Sequence, residues 1–199
     1  MRHVNLMQQK EMPAIVRLWI LRILVVLGAQ QKFIDRDSFY SDGLAQLIGL
    51  GKFLEENAFN RPGARTALAR LHRQAEAHAA DAQVPDVMRR NVARLAELVG
   101  LSPLDCRILE LTVLLHIEPV LEETAEWLGY LSSVKVFRVL SGVLSTPESA
   151  IQEALMSLST VSPQKCATGF MTKYRNWRCV SNGTLARFTQ QHKNYQGYA

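Results

Sequence analysis

The chain reads as all-α on three observations. Leu, Ala, Arg and Glu dominate its first three quarters, and these residues lose little on entering a helix. Apolar residues recur three and four apart in successive segments, while alternating strand-like runs are scarce. Helix punctuation repeats as well, with Ser-Pro and Thr-Pro starts and glycines after apolar runs. At 199 residues and 48% hydrophobic content, the chain can build one domain, or two small ones, around a real core.

The elements follow in order. Met12-Pro13 opens a first helix with proline in the first turn, and Gly28 closes it. Its apolar stretch, "IVRLWILRILVVLGA" at 15–29, is too short to span a bilayer. Arg17 and Arg22 interrupt it, which an export signal does not tolerate. The segment is therefore expected as a mostly buried helix whose two arginines reach out at its edges, in a cytoplasmic chain without a membrane partner. "DRDSFYSDGLAQLIGLGKFL" then predicts a short amphipathic helix with Leu44, Leu47 and Ile48 on one face. "RPGARTALARLHRQAEAHAADA" predicts a surface helix, because Leu68 and Leu71 form only a thin apolar seam.

Val92, Leu95, Leu98 and Val99 stand at helical spacing before Gly100, a suitable C-terminal cap. Ser102, Pro103 and Asp105 form a strong start signal, with Asp105 in the box position usually held by Glu. The helix that follows, "LDCRILELTVLLHI", is apolar on most of its surface and expected at the centre of the core. Helices at about 119–128 and 132–144 come next, then a Thr-Pro start before "ESAIQEALMSL". The expected core is Trp19, Leu21, Leu24, Leu95, Leu98, Ile108, Leu111, Leu115, Leu128, Phe137 and Leu140. From Ser159 the period weakens: "CATGFMTKY" reads as a short strand or wing, and the residues after Trp177 as disordered.

Charge is divided unevenly. Residues 1–153 carry 17 Lys+Arg against 18 Asp+Glu, whereas residues 154–199 carry 6 Lys+Arg and no acid. The formal +5 therefore belongs to the tail. Three widely spaced cysteines offer neither a disulfide framework nor a paired metal motif, as expected in a reducing cytoplasm.

Tests for chemistry fail in turn. "IGLGKF" supplies Gly51-Lys52, but Gln46 stands where a phosphate loop needs its first glycine, and Phe53 where it needs a hydroxyl. His116-x-Glu118 lacks the P-C-x-x-C of a zinc deaminase. Glu122, Glu123 and Glu126, early in a helix, read as dipole-complementing surface acids. No catalytic, cofactor-binding or metal-ligating residue is assigned, and no cofactor is expected.

The stretch "ETAEWLGYLSSVKVFRVLSGVL" at 123–144 has the cadence of a helix-turn-helix. Lys135 and Arg138 share a face of its second helix, and Ser133 sits near the N-terminal end where base and phosphate contacts fall. Ser133, Lys135 and Arg138 are the candidate nucleic-acid contacts. Against them, seven of the eleven residues at 134–144 are large and apolar, and glutamates at 118, 122, 123 and 126 lie just upstream.

Three stretches carry a resemblance: "RLWILRILVVLGAQQKFI", "LAELVGLSPLDCRILELTVLLHIEPVLEETAEWLG" and "LSSVKVFRVLSGVL". Together they resemble the non-catalytic N-terminal region of bacterial AAA-type ATPases, described as ATP-binding proteins. The order matches over 14–158, most specifically over 95–144. The resemblance implies a helical part at 1–84 and a winged-helix-like helical bundle at 85–171; it fades beyond them, and 172–199 reads as a basic, disordered tail from its charge and lost period. The resemblance also implies a non-enzymatic accessory role, with an AAA-type ATPase core or oligomer neighbours as protein partner. The ATPase core has no counterpart here, and Ala167–Met171 only loosely echoes the family's wing. A truncated or frame-shifted copy, or a split gene whose next product carries the core, would explain both. A winged-helix DNA-binding regulator using 132–144 and the basic tail is the alternative, and a free-standing enzyme a third.

Overall fold

The computed structural model describes residues 12–55, 58–129 and 132–161. The expected wing and the 172–199 tail lie outside them. Among the described residues the fold is all-α, with an isolated bridge between Ile34 and Phe39 and no strand.

The first helix, α1 (Ala14–Val25), starts after Pro13 and is the central element of the structure. Nine of its twelve residues are buried, so it is apolar almost all round rather than on one stripe. It packs against α2 (Gln30–Phe33), α4 (Arg61–Ala77), α7 (Pro119–Glu126) and α8 (Ser133–Leu144). The helix expected at the centre, α6 (Pro103–Ile117), instead keeps five buried residues, among them Ile108, Leu111 and Leu114. It bridges α5 (Asp86–Val99), α7 and α9 (Glu148–Val161). A short α3 (Asp42–Ile48) and a 3-10 turn (Gly51–Phe53) complete the N-terminal side.

Local signals set the helix ends. Ser102 and Asp105 form a reciprocal capping box: the Asp105 amide donates to Ser102 Oγ at 3.2 Å, and the Ser102 amide to Asp105 Oδ2 at 2.9 Å. Asn60 caps α4 through the Gly63 amide at 2.9 Å. Gly49 and Gly100 end α3 and α5 in the left-handed conformation, at φ of 94° and 72°.

A single hydrophobic cluster runs from Ile15 to Ala154, across the expected division at 84/85. Trp19, Leu21, Leu24, Ile108, Leu111, Leu115 and Leu140 are buried in it, while Leu128 and Phe137 pack half-buried against it. Phe33 stacks between Phe39 and Trp127, with ring centroids 5.1 and 5.6 Å away. Two expected core residues of α5 depart: Leu95 is half-buried outside this cluster, and Leu98 is 82% exposed.

Arg22 departs as well. It does not reach outward but lies 5% exposed, where three helices meet. Its guanidinium donates through Nε and Nη2 to Glu76 of α4 at 2.7 and 2.8 Å, and through Nη1 to the Val143 carbonyl of α8 at 2.7 Å. Arg107 of α6 donates to the neighbouring Leu144 carbonyl. Two guanidinium groups thus satisfy the last carbonyls of α8, where the helix dipole favours positive charge. Arg17 is likewise turned inward, donating to the Ile48 carbonyl at 3.0 Å.

Among the described residues no helix is long and apolar enough to cross a membrane.

Candidate functional site

Three places on the molecule bear on function, the first of them α8. Its buried face carries Val136, Val139, Leu140, Val143 and Leu144. That leaves Val134, Lys135 and Arg138 exposed on the outer face, with Val134 66% open. Ser133 is the first residue of the helix. Arg138 lies 3.6 Å from the Glu148 carboxylate of α9, an exposed and therefore weak pair. α8 packs chiefly on α9 and α1 rather than on α7, so the two helices of the expected helix-turn-helix are held mainly by third parties. The outer face offers two cations and an apolar side chain, a narrow basis for contacting phosphates.

The second place is an open cleft of about 430 Å³ between α1, α6, the α4–α5 connection and the end of α8. Trp19, Arg22, Arg89, Arg107 and Glu110 line it. Its cations are already engaged. Arg22 is held by Glu76 and Val143, Arg107 by Leu144 and Thr146, and Arg89 by Asp86 at 2.6 Å. Burial pushes the Glu110 carboxyl above its ordinary range, with the Arg107 charge opposing. Among the described residues no group of three His, Cys, Asp or Glu side chains could hold a metal ion. Two of these groups join helices: Arg22 ties α1 to α4 and α8, and Arg107 ties α6 to the end of α8.

The third place is α5. This helix begins after Pro85, ends at Gly100, and packs principally on α6. Only Val92 is buried. Val87 is 62% exposed, Leu98 82% and Val99 40%. At 100° per residue, Val87 and Leu98 fall within about 20° of each other, with Arg94 between them on almost the same line. Arg90 is exposed beside this strip, and Arg94 within it. The apolar arc of α5 is therefore wider than the part α6 covers. Solvated leucine and valine on one line, rimmed by guanidinium groups, are what a protein interface uses as anchor and rim.

None of the sequence-predicted contacts lies here, and Leu98 is a residue expected in the core. The available signal was the width of the arc: Val87, Leu95, Leu98 and Val99 span more of the helix than one neighbouring helix covers. Comparison with family models, with curated proteins and with solved structures yields no match to this chain.

Proposed function

We propose that the chain is a non-catalytic helical accessory module that works by protein–protein contact, in the manner of the N-terminal region of a cytoplasmic AAA-type ATPase. The observation that carries the reading is the uncovered half of α5, where Val87 and Leu98 stand solvated on a helix whose other side is docked. The three family-like stretches and the broken phosphate-loop pattern at Gly51-Lys52 agree with it. The partner is an AAA-type ATPase core or a neighbouring copy of the assembly, meeting α5 with an apolar surface edged by acids.

A photo-crosslinking amino acid at position 98, with position 152 on α9 as control, tests the proposal in cells. Capture of an AAA-type ATPase subunit or a second copy from position 98 alone is the expected result. Equal capture from both positions, or none, refutes the assignment of this face. Tight ATP binding by the purified chain refutes the non-catalytic part.

A further inference from the structure

The outer face of α4 carries a second, chemically different surface. The helix holds four arginines, Arg61, Arg65, Arg70 and Arg73, and one acid, Glu76. That acid is turned toward α1, where it receives both donors of the buried Arg22. The arginines gain no such compensation: Arg65, Arg70 and Arg73 are exposed, and none of the ion pairs among the described residues includes them. At 100° per residue the three fall within an arc of about 140°, on the side away from the buried Ala64, Ala67 and Leu68. Between Arg65 and Arg73 the other exposed residue is Thr66, a short side chain that lets a partner approach the helix closely, and the exposed Gln74 follows Arg73.

We infer that this face binds the phosphate backbone of a nucleic-acid duplex without reading its sequence. Guanidinium groups match phosphate oxygens in a bidentate manner, and all the cations of α4 are arginines. Arg65 and Arg73 are about 12 Å apart along the axis. Over that length a duplex presents roughly seven phosphate charges. The face also lacks what other partners need. No large apolar side chain of α4 is exposed, so it has neither the anchor of a protein interface nor the buried face of a membrane-lying helix. This surface is independent of the α5 face, and it differs from the α8 position that the helix-turn-helix cadence points to.

The test is fluorescence anisotropy of the full chain with duplex DNA and duplex RNA of arbitrary sequence, across a salt series. Three variants accompany it: Arg65→Gln/Arg70→Gln/Arg73→Gln, Lys135→Gln/Arg138→Gln, and one with the six Lys and Arg after residue 153 changed to Gln. Far-UV circular dichroism verifies that each keeps its helix content. The expected result is binding insensitive to sequence and an α4 triple variant whose log–log salt slope is flatter by about 2.7, for three phosphates at 0.9 each. The α8 variant keeps the slope of the unaltered chain. Preference between DNA and RNA tells which backbone is the partner. Three results overturn the proposal: no binding at low salt, an unchanged slope in the α4 variant, or competition by polyglutamate as effective as that by duplex.

Discussion

Glu76→Ala is the substitution that most directly tests how the helices are joined. In the folded chain the Glu76 carboxylate takes two hydrogen bonds from Arg22, at 2.7 and 2.8 Å. The arginine side chain is 6% exposed and the glutamate 34%. Truncating the acid leaves a guanidinium at the centre of the bundle with the Val143 carbonyl as its remaining partner. Breaking a fully buried pair costs about 3–5 kcal/mol. Water reaches a third of Glu76 and can partly replace it, which reduces the expected loss to about 2 kcal/mol. For a chain of this size that corresponds to a fall in Tm of about 4–8 °C. Denaturant unfolding followed by far-UV circular dichroism measures it. The double variant Arg22→Met/Glu76→Met strands no charge and should recover at least half of the loss, although Val143 then lacks its donor. A loss below about 0.5 kcal/mol in Glu76→Ala, the size expected of a surface pair, would refute the burial argument. So would a double variant no more stable than the single one.

Other expectations follow from the same structure. The Arg22 hydrogen bonds, with the charges of Arg22 and His72, hold the Glu76 carboxyl below its ordinary range, against the burial that acts to raise it. Its contribution is therefore complete above the unfolded pKa and lost as pH falls through the folded one, so Glu76→Gln should flatten the acid limb of a stability–pH curve. Glu110 has the opposite sign, since burial raises its folded pKa; Glu110→Gln should stabilise the chain at neutral pH and steepen its acid loss. Leu114→Ala, at a fully buried position, should cost about 2–5 kcal/mol, whereas Leu98→Gln should stay within about 0.5 kcal/mol in denaturant unfolding. Ser102→Ala removes the capping box of α6 and should cost about 1 kcal/mol in the same assay. Burial, then the Glu110 and Asp105 carboxylates, raise the Cys106 thiol pKa, so site-resolved alkylation should be slower there than at a free cysteine.

The local grammar of the chain is legible in its residues alone. The Ser102–Asp105 box, the prolines at the starts of α4, α6 and α7, and the glycines after α3 and α5 act within one helical turn of themselves. Their effect does not depend on what lies across the molecule. The all-α class follows from such signals together with the apolar spacing. Burial does not follow in the same way. The apolar pattern of α5 is the same whether one side or both are covered, and only the packing of α6 against one edge leaves Leu98 in water. α1 became central, ahead of α6, because four later helices, α2, α4, α7 and α8, close around it.

Tertiary structure also decided what the charges do. In the sequence Arg22 is a cation in an apolar run, expected at an edge. In the fold, Glu76, 54 residues away, and Val143, 121 residues away, make an inward position the satisfied one. The same contact turns the single acid of α4 inward and leaves that helix's arginines uncompensated at the surface. Helix ends are decided by neighbours in the chain; the use of a charge is decided by neighbours in space, and those meet only when the helices pack.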